Sequence, residues 1–105
     1  MAELLRPRHQ RTMHKSRVMT PLMRASAIGH VEGVKHLLDD GEDVNEAGPR
    51  NSTALMFAAG SGHLEIVKEL VKSGADINTA EEGGWTALKH AEAEGYNDIV
   101  AYLTK

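Results

Sequence analysis

TALMFAAGSGHLEIVKELVKSGADIN, running from Thr53 to Asn78, holds two short apolar-periodic segments separated by Gly62-His63. Thr53 suits an N-cap, because its hydroxyl can accept from a backbone amide of the first turn. Leu55, Ala58 and Ala59 then follow at helical spacing. Gly62 ends this helix by taking up a left-handed or otherwise open conformation. Leu64, Ile66, Val67, Leu70 and Val71 line one side of a second helix of about three turns. Lys72 sits in its last turn, where the helix dipole favours a cation. Ala75-Asp76-Ile77-Asn78 reads as an extended exit into a turn. The unit is helix, tight turn, helix, projecting loop.

The unit recurs. Thr20, Thr53 and Thr86 are 33 residues apart, and so are Gly29, Gly62 and Gly95. Leu22/Leu55/Leu88, Ala25/Ala58/Ala91, Val34/Val67/Val100 and Leu37/Leu70/Leu103 keep the same interval, and 14 of the 28 positions from Thr20 to Ala47 match those from Thr53 to Ala80. In the first copy Thr20 is followed by Pro21, well suited to a first helical position. A fixed period of this length implies stacked helical units, each burying its apolar face on its neighbours.

These residues resemble the ankyrin repeat. The resemblance is carried by Thr20-Pro21-Leu22, Ala58-Ala59, Gly62-His63-Leu64-Glu65-Ile66-Val67 and Gly74-Ala75-Asp76-Ile77-Asn78. It covers residues 20–105, about four-fifths of the chain. It implies an all-α fold, a short solenoid of three helix-turn-helix units with projecting β-turn loops (20–52, 53–85 and 86–105). Met23, Met56 and Lys89 stand where the family has the histidine that ties neighbouring loops together.

The ends differ from the middle. Glu92 replaces Ser26 and Ala59, Asn97 replaces Val31 and Leu64, and Thr104 replaces Leu38 and Val71. Three small or apolar positions turn polar together, so the third unit reads as a C-terminal cap and the array as complete. Shifted by one period, Leu4 and Leu5 fall on Leu37 and Leu38, the last turn of a vestigial cap helix that Pro7 would stop. Residues 1–15 carry little apolar surface to offset ordering, and partial disorder is expected there.

Composition removes several chemistries. Without cysteine there are no disulfides, no thiolate nucleophile and no cysteine-ligated zinc, and a reducing compartment is suited. No apolar run reaches the roughly 18 residues of a membrane span, and the N-terminus has no apolar core of a secretory signal. A cytoplasmic location is expected, with the nucleus as the other compartment. His30 and His63 share the repeat period and so read as packing and capping residues, while His36 and His90 read as local surface choices. No His-x3-His or His-Glu-x-x-His spacing occurs, and Asp39-Asp40-Gly41-Glu42-Asp43 lacks the alternating ligands of a calcium loop. Asn51-Ser52-Thr53 matches a glycosylation sequon that, without a secretion signal, is a chance match. No phosphate-cradling or nucleophile-elbow motif is found. No cofactor, metal or catalytic residue is therefore expected, and the chain reads as a non-enzyme.

Binding is the remaining function. The resemblance places variable contact positions beside each repeat-starting threonine and at the end of each first helix. The first set comprises Ser16, Arg17 and Met19, then Pro49, Arg50 and Ser52, then Glu82, Gly83 and Trp85. The second comprises Ala27/Ile28, Gly60/Ser61 and Ala93/Glu94. Met19, Ser52 and Trp85 are expected in one row across the loops, with Trp85, the sole tryptophan, as anchor. Arg17 and Arg50 are natural partners for acidic groups, and Met23 and Met56 supply either adaptable apolar contact or filling between loops. The expected function is a monomeric protein–protein interaction module or adaptor, its contacts drawn from Arg17, Met19, Ile28, Arg50, Ser52, Ser61, Trp85 and Glu94. The alternative is an accessory nucleic-acid or anionic-surface binder. Residues 1–19 carry Arg6, Arg8, Arg11, Lys15 and Arg17 against Glu3 alone, whereas residues 20–105 carry seven basic and 14 acidic side chains.

Overall fold

The computed structural model describes residues 18–105. The expected vestigial helix and the basic arm, including Arg6, Arg8, Arg11, Lys15 and Arg17, lie outside the described residues. The fold is all-α. Among the described residues six α-helices run in order: α1 (Pro21–Ile28), α2 (Val31–Asp39), α3 (Ala54–Ser61), α4 (Leu64–Lys72), α5 (Ala87–Glu94) and α6 (Asn97–Leu103). A 3-10 turn, Pro49–Asn51, sits in the loop between α2 and α3. Among the described residues there is no strand, only an isolated antiparallel bridge between Ala80 and Thr86.

Each first helix starts as the sequence predicts. The Thr20 hydroxyl accepts from Met23 N at 3.1 Å, Thr53 from Met56 N at 3.4 Å and Thr86 from Lys89 N at 3.3 Å. Each satisfies one of the orphan amides of a helix N-terminus. Gly29 and Gly62 both have φ of 83°, inside the left-handed region. Glycine is needed at both for a second reason as well. A Cβ on Gly29 would lie 2.7 Å from the His63 ring, and one on Gly62 would lie 2.9 Å from the Tyr96 ring. The aromatic side chain of each following repeat therefore closes over the turn of the repeat before it. His63 adds a hydrogen bond, its Nε2–H donating to Ala27 O at 3.2 Å. A carbonyl can only accept, which fixes the proton on that nitrogen. The bond satisfies a carbonyl in the last turn of α1 that has no partner within its own helix.

Two layers result. The first helices α1, α3 and α5 pack side by side through small residues, with Ala25, Ala54, Ala58, Ala59, Ala87 and Ala91 all buried. The second helices α2, α4 and α6 contribute the larger Val34, Ile66, Val67, Leu70 and Ile99, each fully buried. Small residues let the first-helix layer draw closer than the second-helix layer, which curves the array toward the first helices and makes that face concave. In the third repeat Glu92, Asn97 and Thr104 are exposed, whereas Ala59 and Ser26, one and two periods before Glu92, are fully buried.

The loops are tied without the family's histidine. Met23 and Met56 are core residues, 1% and 4% exposed, and the Met23 thioether packs against Gly48. They fill space beneath the loops. The cross-loop bonds come from backbone and asparagine instead. Glu82 N donates to Arg50 O at 2.9 Å, and Asn51 Nδ2 donates to Ala80 O at 3.2 Å. Further back, Asn45 Nδ2 donates to Gly74 O at 3.1 Å while its Oδ1 accepts from Asp76 N at 2.8 Å. No helix among the described residues is long and apolar enough to cross a membrane.

Candidate functional site

Two of the projecting loops end in tips of the same construction. Gly48 N donates to Ser52 O at 2.8 Å, and one period later Glu81 N donates to Trp85 O at 2.9 Å. The residues at the turns differ sharply. The second tip carries Gly83-Gly84, with Gly84 at φ of 87°, and the first carries Arg50 and Asn51 at φ of 57° and 66°. A side chain in the left-handed region costs about 1–2 kcal/mol. Asn51 tolerates that region well and is anchored across to Ala80. Arg50 is a long side chain in that region and is exposed, its guanidinium beside Gly83 of the next tip.

Beneath these tips, between α3 and α5, lies a cleft of ≈ 370 Å³. Met56, Phe57 and Gly60 form its floor, Pro49, Arg50 and Ser52 one wall, and Glu81 and His90 the other, with Ser61 at the far end. Gly60 opens it. The equivalent residues of the first and third repeats are Ala27 and Ala93, and a glycine inside a helix is unfavourable by about 1 kcal/mol relative to alanine.

The far wall is pre-set by a local network. His90 Nε2 donates to Glu81 Oε2 at 3.1 Å, and the two side chains are only 28% and 20% exposed. The Trp85 ring leans on the His90 ring, centroids 5.2 Å apart at 60°. Glu81 is thereby partly engaged, while Arg50, whose guanidinium lies beside Gly83, has no carboxylate within salt-bridge distance among the described residues. Four other cations of the array are engaged. Lys35 and Lys72 pair with Glu32 and Glu69, and Lys68 and Lys105 lie 5.8 and 5.4 Å from the Tyr102 ring centroid. That ring and its two lysines line a second, shallower groove on the second-helix face, with Leu64, Asp98 and Ala101.

The expected contact residues separate into three groups. Arg50, Ser52 and Ser61 line the cleft, and Trp85, 41% exposed, borders it through His90. Ile28 and Glu94 are exposed at the ends of α1 and α5, Ile28 to 75%, but neither lines the cleft. Ser52 lines it as a buried residue, its hydroxyl donating to Pro49 O at 2.7 Å, and Met19 is half-buried against the core. Of the row of three across the loops, Trp85 alone is exposed.

His90 is not a detached surface choice. It is held by both Glu81 and Trp85, a grouping that sequence reasoning missed because the three come together only when the tip folds back on α5. The one available signal was the +33 relation of His90 to Arg24 and Phe57, which places all three on the first-helix layer. Among the described residues no group of three or more histidine or acidic side chains could hold a metal ion.

The family model described as Ankyrin repeats (3 copies) matches residues 22–105. No curated protein gives a significant match to the chain.

Proposed function

The chain belongs to the ankyrin-repeat family, whose repeats are generally protein–protein interaction modules, and from that premise we propose that it is a non-enzymatic adaptor. It binds a protein partner through the loop tips and the concave first-helix face around Arg50 and Trp85. The observation that carries this is the cleft between α3 and α5, with its apolar floor, an unpaired arginine on one rim and an exposed tryptophan beside the other. Tryptophan and arginine are the residues most enriched among binding hot spots. The protein acts as a monomer in the cytoplasm or nucleus, in keeping with a sequence that has no cysteine.

The test is capture of partners from host lysate by the wild-type chain and by a Trp85→Ala/Arg50→Glu double variant of intact helical signal. A protein held by wild type and lost by the variant supports the proposal. Equal retention by both transfers recognition to Arg6, Arg8, Arg11 and Lys15 or to the second-helix face. Binding through the arm would fall steeply with salt and disappear on deleting residues 1–15, whereas binding through the cleft would survive that deletion.

A further inference from the structure

We infer that the cleft between α3 and α5 takes a short linear segment of a protein partner in which a carboxylate side chain neighbours a bulky apolar one. This rests on the adaptor reading and specifies the chemistry of its occupant.

Three features of the cleft converge on that chemistry. Its floor is apolar and partly open, because Gly60 withholds a side chain where the other repeats have alanine. A Cβ at Gly60 would lie 3.6 Å from the His90 Cβ, ordinary contact distance, so packing does not forbid a larger residue there. The glycine therefore leaves room for one apolar side chain over Met56 and Phe57. The charge at the rim is asymmetric. Glu81 already accepts from His90, while the Arg50 guanidinium, beside Gly83, has no carboxylate within salt-bridge distance among the described residues and keeps its planar fork free for one. Finally, Arg50 holds a left-handed backbone conformation, φ 57°, that bulky residues seldom adopt. Strain kept at a solvent-facing cation without any internal partner marks a residue retained for what it contacts.

Basic segments fit poorly, because Arg50 would repel them and the Glu81 carboxylate is already bonded to His90. Nucleic acid fits poorly too, since residues 20–105 carry seven basic against 14 acidic side chains.

The test is selection of a random heptapeptide display library on the full chain. Selected peptides are then titrated against the wild type and against the Arg50→Glu and Gly60→Leu variants, with Trp85 fluorescence as the readout. Gly60→Leu removes a helix-interior glycine, so its fold is kept while the floor is filled. The expected peptides share an Asp or Glu within a few positions of Leu, Met, Phe or Trp. Arg50→Glu should weaken them at least about tenfold, the scale of one charge-assisted hydrogen bond, and a repeat selection on that variant should favour Lys or Arg at the acidic position. Gly60→Leu should weaken them by a similar factor with Arg50 intact.

Peptides that respond to Gly60→Leu but show no acidic preference would overturn the carboxylate assignment and leave the adaptor reading standing. Peptides indifferent to both variants would remove the cleft as the site and, with it, the adaptor reading as stated. Failure to enrich any peptide would overturn the linear-segment inference, with lysate capture deciding the adaptor reading separately. A single-stranded oligonucleotide that shifted Trp85 emission and was displaced by Arg50→Glu would also overturn it.

Discussion

Replacing Ser26 by alanine should stabilise the array. Ser26 sits in α1 with no exposed surface, and its Oγ has no hydrogen-bond partner. One period later the same site holds Ala59, equally buried. Burying a hydroxyl without a partner costs about 1–3 kcal/mol on protein mutational scales. Exchanging serine for alanine in a helix returns about 0.5 kcal/mol of propensity. The void left by one oxygen, on the order of 20 Å³, takes back about 0.5 kcal/mol. The balance is a gain of about 1.5 kcal/mol, or about 5–10 °C in Tm for a domain of this size. Urea unfolding followed by far-UV circular dichroism measures it directly, as a midpoint shift at constant m-value. The mirror substitution Ala59→Ser in the middle repeat should cost about the same, since it creates the orphan that Ser26→Ala removes. A midpoint that is unchanged or lowered in Ser26→Ala would show that the hydroxyl is satisfied, and would refute the reasoning for both sites.

Gly62→Ala should destabilise by about 2–3 kcal/mol, combining the left-handed backbone penalty with displacement of the Tyr96 ring 2.9 Å from the new Cβ. Gly74→Ala is the control, because φ is 98° but nothing lies within 4 Å; it should lose only the backbone part, about 1 kcal/mol. Equal losses in the two variants, read by thermal denaturation, would remove the ring contact from the account. Arg50→Gly should behave in the opposite way. Relief of the left-handed penalty outweighs the added freedom of the unfolded chain by about 0.5 kcal/mol, so Tm holds or rises while peptide binding falls. A drop in stability above about 1 kcal/mol in that variant would mean that the Arg50 side chain supports the loop itself.

The helices were legible because their signals are local and repeated. Threonine caps, glycine stops and the spacing of Leu55, Ala58, Ile66, Val67 and Leu70 each depend on neighbours within a few residues, and the period of 33 supplies three readings of every position. The loop tips were less so. Ser52 is buried with its hydroxyl on Pro49 O, in a tip whose turn has two residues in the left-handed region, one of them an arginine. No local propensity favours arginine there. The grouping of Glu81, Trp85 and His90 was out of reach for a related reason. It joins a tip to a helix nine residues further on, through side chains that have no counterpart in the other repeats.

The positions that break the repeat therefore collect in one place. Gly60 replaces the alanine of the other repeats and His90 replaces Phe57 and Arg24, and both border the cleft that Arg50, with its left-handed backbone, also lines. Away from it, departures from the period have structural readings. Glu92 stands on the exposed end of the third repeat, and Tyr96 takes over the ring contact of His63. Local rules in a folded chain are broken at a cost, and the breaks persist where something other than stability is selected. At Arg50 and Gly60 that cost is unfavourable backbone, about 1 kcal/mol each. The result is an open apolar floor beside a free guanidinium. With glycine at 50 and alanine at 60 the array would be the more stable and would have neither.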